Sequence, residues 1–228
     1  RVLFRSYNEE VGTGSAIIMV DEKTSQNQII IVPGACSTIT PEEVEALRPL
    51  LEECEYVLLQ LEVNQDANER LVNLAVECDC KVILNTAPYQ PVSDEFLSKV
   101  YMVTPNEVEA EMMTGVPVDG LEAAKKAAKV FYDKGVKVVI ITLGGRGVFV
   151  SENGREEIIP AFKVEAVDTT GAGDAFNGGL LTGLAEGMDL WEAARFANAL
   201  AALSVQKIGT TPAMPTRKEV DDFLAAHS

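Results

Sequence analysis

The stretch DTTGAGDAFNGGLL, residues 168–181, places two glycines and an aspartate where a loop turns into a helix. Gly171 and Gly173 allow the backbone to approach a ligand closely and to aim successive N–H groups at one point. The helix that follows adds the positive end of its dipole, so Gly171, Ala172 and Gly173 are predicted to form an anion hole. Asp174 beside it is predicted to act as a base toward a hydroxyl group. The alternative interpretation is a glycine-rich turn in which Asp174 is only the helix N-cap.

The composition of the chain limits the classes of function that it can have. A formal net charge of −16 over 228 residues argues against nucleic acid and anionic membranes as partners. No apolar run reaches about 18 residues, so no membrane span is expected. The four cysteines form no C-x-x-C pair, which predicts reduced thiols in a cytoplasmic protein. The single histidine, His227, leaves Ser-His-Asp chemistry without its base, so a general base would be a carboxylate, a lysine or a tyrosine.

Strand and helix patterns alternate from residue 41 to residue 145, which predicts an α/β fold. The expected architecture is a doubly wound, mostly parallel sheet flanked by helices. Because ligands bind at the carboxyl ends of such strands, the polar residues that end them should gather along one edge. These residues are Glu62, Asn85, Asn106 and Thr142, at the ends of strands predicted at 56–62, 81–85, 101–106 and 137–145.

Other local signals define the rest of the chain. Two β-branched runs around a polar turn predict a hairpin near residues 16–32, and Asn153-Gly154 predicts a second hairpin turn. Thr40, Pro41 and Glu43 predict a helix that begins with a capping box. Further helices are predicted at 65–79, 106–114, 119–134, 173–186, 189–206 and 216–226.

The stretch at 168–181 resembles the second signature of the ribokinase-type (PfkB) carbohydrate kinases. Further matches to the family are TPNEVEAE at 104–111, ITLGGRGVFV at 141–150 and GTTPAMP at 209–215. The resemblance implies the ribokinase-like fold and transfer of phosphate from ATP to the 5-hydroxyl of D-ribose, giving D-ribose 5-phosphate and ADP. A fructokinase or nucleoside-type kinase of the same family is an alternative. So is a non-catalytic protein that binds a sugar or a nucleotide on the same fold.

The resemblance also implies roles for individual residues. Asp174 would be the catalytic base and hold the sugar hydroxyl, while Glu62 would bind the sugar. Glu62 could instead be a solvated strand end, Asn106 a helix cap, and residues 142–147 an ordinary turn. The nucleotide would be bound by Asn106, Thr142, Leu143, Gly144, Gly145, Arg146, Gly147, Gly173 and, at the adenine, Asn198.

Two metal ions are implied by the same resemblance. Mg²⁺ would be organised indirectly by Asn106 and Glu109 of the N-x-x-E motif. K⁺ would support the anion hole from behind, in part through backbone carbonyls. Its ligands would come from Asp168, Thr170, Ser204, Lys207, Gly209 and Ala213.

The resemblance divides the chain into three parts. Residues 1–10 are expected to be a partial or artificial lead-in, because RVLFRS corresponds to a translated sequencing adapter. Residues 11–35 would be the remnant of a β-lid, and 36–228 a kinase domain that is incomplete at its N-terminus. The family's sugar-gripping first signature is absent, so we expect this chain to be poorly active. The full-length protein is expected to form a homodimer through the lid.

Overall fold

The computed structural model describes residues 8–20 and 27–227. Among these residues, the core of the fold is a six-stranded sheet in which the first four strands run parallel and the last two antiparallel. The strands lie in chain order without a reversal, and the predicted mostly parallel sheet is confirmed. They are β3 (Tyr56–Leu59), β4 (Lys81–Leu84), β5 (Met102–Val103), β6 (Val138–Thr142), β7 (Val148–Glu152) and β8 (Arg155–Ile159).

A separate two-stranded sheet precedes the main sheet. Strands β1 (Ser15–Val20) and β2 (Asn27–Val32) pair antiparallel, which confirms the predicted hairpin. The polar turn between them lies outside the described residues. In the second hairpin, β7–β8, Asn153 and Gly154 have φ values of 51° and 83°, the pair of positive angles that a tight hairpin turn requires.

Helices cover both faces of the main sheet. Alternate residues of β6 explain why: Val139 and Ile141 pack into one apolar core, while Val138 and Ile140 pack into another, and all four are fully buried. The first core is closed by α1 (Pro41–Glu45), α2 (Arg48–Leu51), α3 (Gln65–Glu77), α4 (Asp94–Ser98), α5 (Glu107–Thr114) and α6 (Leu121–Asp133). The second is closed by α7 (Ala172–Ala185) and α8 (Leu190–Ser204), and α9 (Arg217–Ala226) packs on α8. No helix in the described part of the chain is long and apolar enough to cross a membrane.

The observed helix starts agree with the predicted ones more closely than the observed strand ends do. Thr40 and Glu43 form the predicted capping box of α1. The predicted strand at 56–62 ends at Leu59, because the next backbone groups bond outside the sheet. The Gln60 carbonyl accepts from Asn68 at 2.8 Å, and the Leu61 N–H donates to the Ala87 carbonyl at 3.0 Å.

Two further parallel strands, β5 and β6, are also shorter than predicted. The strand at 101–106 reduces to β5, Met102–Val103, because the chain turns at Thr104-Pro105 into the cap of α5. The strand at 137–145 ends at Thr142 and passes into a 3-10 turn, Gly144–Arg146. Both changes place polar residues at the carboxyl edge of the sheet, the edge formed by the C-terminal ends of β3 to β6.

Candidate active site

Polar side chains from separate strands gather at the carboxyl edge. Asn85 follows β4 and is buried, and Asn106 follows β5 and forms an isolated parallel bridge to Thr142 at the end of β6. The Thr142 N–H also donates to the Pro105 carbonyl at 2.9 Å. The expected gathering of these three residues is therefore confirmed. Glu62 lies exposed in the loop after β3.

The first turn of α7 brings Asp174 to the same edge. Gly171 is the N-cap, with φ of 77°, and Asp174 is the third residue of the helix. The interpretation of Asp174 as the N-cap is therefore wrong, since a glycine in the left-handed conformation already turns the chain into the helix. The exposed Asp174 carboxylate accepts a hydrogen bond from Gln60 Nε2 at 3.3 Å.

The amides of the predicted anion hole differ in their surroundings. The Ala172 N–H donates to the Thr169 carbonyl at 3.2 Å, so a phosphate oxygen would have to share this donor. A methyl group added to Gly171 would lie 3.2 Å from Thr210 Cγ2, whereas one added to Gly173 would meet no atom within 4 Å. The loop is therefore packed against Thr210 at Gly171, whereas the space beside Gly173 is open.

A second loop, residues 205–209, packs against the segment that leads into the predicted anion hole. The N–H groups of Gly209 and Thr170 each donate to the Asp168 carboxylate at 2.9 Å and hold its pKa below the usual range. The N–H groups of Val167 and Asp168 both donate to the Val205 carbonyl, at 2.8 and 3.1 Å. These bonds fix residues 167–170 against residues 205–209.

Three of the six residues assigned to a K⁺ site are thus held together, namely Asp168, Thr170 and Gly209. Ser204 ends α8, and its carbonyl accepts the Lys207 N–H at 3.3 Å. The Ala213 N–H donates to the Thr210 carbonyl at 2.9 Å, which connects it to the residue that packs on Gly171. The oxygen-rich backbone of this segment is chemically suited to a hard monovalent cation.

The N-x-x-E motif forms a buried carboxylate network. Asn106 caps α5 and donates to Glu109 through its backbone N–H at 3.0 Å and its Nδ2 at 2.9 Å. Thr86 Oγ1, which is fully buried, donates to Glu109 Oε2 at 3.0 Å. Both carboxylate oxygens therefore already accept hydrogen bonds from the protein.

This network fits an indirect role toward magnesium. Within residues 8–20 and 27–227, no group of three or more His, Cys, Asp or Glu side chains could hold a metal ion directly. Mg²⁺ binds oxygen ligands and retains several of its waters, so Asn106 and Glu109 fit a hydrated ion better than a bare one.

The predicted nucleotide loop, residues 142–147, is fixed to α5. The Leu143 N–H donates to the Gly147 carbonyl at 2.8 Å and closes the loop. The Arg146 guanidinium forms an ion pair with Glu107 and donates to the Asp119 carbonyl. Arg146 therefore fastens the loop to the first turn of α5.

Asn198 lies on α8, away from that loop in the sequence but next to the end of β8. Its side chain is nearly buried, and Nδ2 donates to the Ile159 carbonyl at 3.3 Å. In this structure the Asn198 amide therefore positions the segment that follows β8.

Four residues of the site were missed by sequence analysis. Gln60, Thr86 and Thr104 each follow a parallel strand, and the rule that placed Asn85 at the carboxyl edge would have found them if the strand ends had been correct. The fourth, Asn177, lies inside the signature itself. It is buried on α7, and Nδ2 donates to the Gly173 carbonyl at 2.9 Å.

Comparison with known proteins decides the family. Residues 4–217 match the pfkB family carbohydrate kinases. The chain belongs to this family. It is therefore a phosphotransferase that uses an alcohol group as acceptor.

The relatives of this pfkB family member include several ribokinases. It is 46% identical over 212 residues to a ribokinase of Haemophilus influenzae, an alignment that covers 93% of this chain and 69% of the relative. A ribokinase of Staphylococcus aureus is 36% identical, with 93% and 70% covered.

Solved structures agree with the fold. Arabidopsis thaliana ribokinase, complexed with ribose and ATP, superimposes with a TM-score of 0.85 at 31% identity, covering 94% of this chain and 70% of that one. A ribokinase of Thermotoga maritima gives a TM-score of 0.82 at 37% identity, again with 94% and 70% covered.

Proposed function

We propose that this chain transfers the γ-phosphoryl group of ATP to the 5-hydroxyl of D-ribose, giving D-ribose 5-phosphate and ADP. The observation that carries the proposal is the position of Asp174. It lies in the first turn of α7, beside the amides of 171–173, at the carboxyl edge of the sheet. The ribokinase relatives, one of them solved with ribose and ATP, support the choice of substrates.

Asp174 would take the proton of the attacking hydroxyl. Gln60 binds Oδ1 of the carboxylate and leaves Oδ2 to accept that proton. As the hydroxyl oxygen bonds to the γ-phosphorus, the bond from that phosphorus to the bridging oxygen of ADP breaks. The proton remains on Asp174 until solvent removes it.

The rest of the site would position the phosphates and stabilise their charge. Phosphoryl transfer needs alignment and electrostatic stabilisation more than covalent chemistry, which suits a loop of backbone amides at a helix N-terminus. We assign Glu62 to the sugar and residues 142–147 with Asn198 to the nucleotide.

The two ions have separate assignments. Asn106 and Glu109 would hold hydrated Mg²⁺, which when bound neutralises phosphate charge. Asp168, Thr170, Ser204, Lys207, Gly209 and Ala213 would hold K⁺ behind the anion hole.

A homodimer through the lid is part of the proposal. In the β1–β2 hairpin, Ile17 and Ile30 face each other in register and are 59% and 51% exposed. Val32 is 52% exposed on the same hairpin. Covering these side chains in a second copy would remove apolar surface from water. Sedimentation of wild type and of Ile30→Asp tests it: a dimer that the variant dissociates supports the lid interface, and unchanged sedimentation contradicts it.

The cysteines support a cytoplasmic location. Burial, with a further contribution from the nearby thiols of Cys54 and Cys78, raises the pKa of the Cys80 thiol to about 11. The four cysteines are free thiols in the described structure. Such thiols are typical of a reducing compartment.

A substrate panel tests the proposed function. ADP release is measured with D-ribose, D-fructose and adenosine, and phosphorus NMR identifies the phosphorylated position. We expect release to depend on D-ribose and the product to be the 5-phosphate. Preference for fructose or adenosine would select the alternative kinases. ATP binding by calorimetry without transfer to any acceptor would select a non-catalytic binding protein.

A further inference from the structure

The phosphate site is built from two halves on opposite faces of the sheet. The N-x-x-E half, Asn106 and Glu109, begins α5, whose Ala110 packs into the first core. The anion-hole half, 171–174, begins α7, whose Phe176 packs into the second core. Helices on separate faces can shift independently, so the distance between the halves needs a constraint of its own.

A chain of hydrogen bonds between buried side chains crosses from one half to the other. Thr104 Oγ1 donates to Asn177 Oδ1 at 2.7 Å, and Asn177 Nδ2 donates to the Gly173 carbonyl at 2.9 Å. Thr104 and Asn177 are 2% and 4% exposed. Thr104 lies two residues before Asn106, and its N–H donates to the Leu84 carbonyl at 2.9 Å, so it is fixed to the sheet.

The orientation of the Asn177 amide is fixed by its partners. Reversal of the amide would direct Oδ1 at the Gly173 carbonyl oxygen, and two acceptors repel each other. Burying two polar side chains is also less favourable than burying apolar side chains of similar size. Apolar side chains would fill the same space, but they would not fix a distance. A hydrogen-bonded pair therefore brings geometric definition that an apolar pair would lack.

We propose that Thr104 and Asn177 are positioning residues that fix the anion hole and Asp174 relative to Asn106 and Glu109. We call this chain of bonds the Thr104–Asn177 bridge. The inference rests on the proposed function for its consequence in catalysis. Alignment errors of about 1 Å can slow a reaction by about 100-fold while the ground-state complex still forms. Loss of the bridge should therefore lower kcat more than it raises KM.

The kinetic test uses a near-isosteric change and a matched control. Thr104→Val removes the hydroxyl, and Thr104→Ser keeps it. Ser151→Ala is the control. The Ser151 hydroxyl is fully buried and forms a hydrogen bond with Tyr132 at 2.5 Å, but Ser151 lies opposite Val139, three residues along β6 from Thr142. Thr104→Val should lower kcat about tenfold or more, with KM for ATP and ribose within about threefold of wild type. Thr104→Ser keeps the hydroxyl and should retain most of the wild-type kcat. Ser151→Ala should retain the wild-type kcat although it loses about as much stability as Thr104→Val.

Hydrogen exchange gives a readout that does not need turnover. Amides at 172–177 should exchange faster in Thr104→Val than in wild type, while those of α6 should not change. The bridge is overturned if Thr104→Val keeps wild-type kcat, or if Ser151→Ala loses kcat to the same extent. If wild type phosphorylates no acceptor, the proposed function fails. The bridge is then decided by exchange alone, and unchanged exchange at 172–177 in Thr104→Val overturns it.

Discussion

Gln60 donates a hydrogen bond to the Asp174 carboxylate over 3.3 Å and so joins the end of β3 to the first turn of α7. Gln60 is itself held in place, because its carbonyl accepts from the buried Asn68 amide at 2.8 Å. An amide is a neutral donor, so it orients the carboxylate without adding a charge beside the phosphates. This relationship gives the first prediction.

Gln60→Glu should move the acid limb of the kcat/KM profile to higher pH. Two carboxylates at this distance resist simultaneous ionisation, so a pair of them holds a proton more readily than a single carboxylate does. Gln60→Met is the control, since it removes the donor without adding charge and should lower kcat with little displacement of the limb. Superimposable profiles for wild type and Gln60→Glu would show that the contact does not persist during turnover.

Asp174→Asn should lower kcat by about 10²- to 10⁴-fold, the usual contribution of a positioned base. The amide keeps the size of the side chain, so nucleotide affinity measured by calorimetry should change little. Turnover close to that of wild type would remove Asp174 from its proposed role.

The two glycines of the anion hole should respond differently to alanine. Gly171→Ala should lower the free energy of unfolding by about 1 to 3 kcal/mol, because φ of 77° strains any other residue and the new methyl would press on Thr210. Gly173→Ala has room for its methyl and should fold normally, but it should lose activity if a phosphate must come close there. Thermal unfolding and kcat separate the two effects. A normally active Gly173→Ala would exclude close approach at that position.

Acid stability should depend on Asp168. Gly209 and Thr170 lower the pKa of this carboxyl in the folded protein from its ordinary 3.8, so its ionised form favours folding. That contribution is complete above pH 3.8 and disappears as pH falls through the folded-state pKa. Asp168→Asn should therefore melt below wild type at pH 6, and the two melting temperatures should converge toward pH 3. A constant difference across this range would show that ionisation of Asp168 does not matter.

Features with short-range causes were predicted well from the sequence. The Asn153-Gly154 turn, the capping box at Thr40 and the helix cap at Asn106 depend on a few neighbouring residues, and the structure has all of them. The signature at 168–181 likewise predicted a helix near 173–186, and α7 begins one residue earlier, at Ala172, directly after Gly171. The tight loop of this signature can be recognised from its own residues, without information from the rest of the chain.

Contacts between distant residues could not be predicted in this way. Gln60 and Asp174 are 114 residues apart, and Thr104 and Asn177 are 73 apart. Their meeting depends on how two helix layers pack on one sheet, which no local pattern records. The lengths of the strands had the same difficulty, because β5 ends after two residues where Pro105, which has no N–H, leads into the cap of α5.

The position of β3 has a consequence for handling the protein in concentrated solution. Among the described strands it is an outer one, paired on a single side with β4, so its free backbone groups are a template for another chain. The exposed carboxylates of Glu52 and Glu53 stand just before it and repel a second copy. Acidification toward the isoelectric point of the chain, near pH 4.5, also removes the net charge of −16 that keeps copies apart at neutral pH. Turbidity and light scattering should therefore rise first in acidic buffer, and storage at neutral pH and low ionic strength should keep the sample clear.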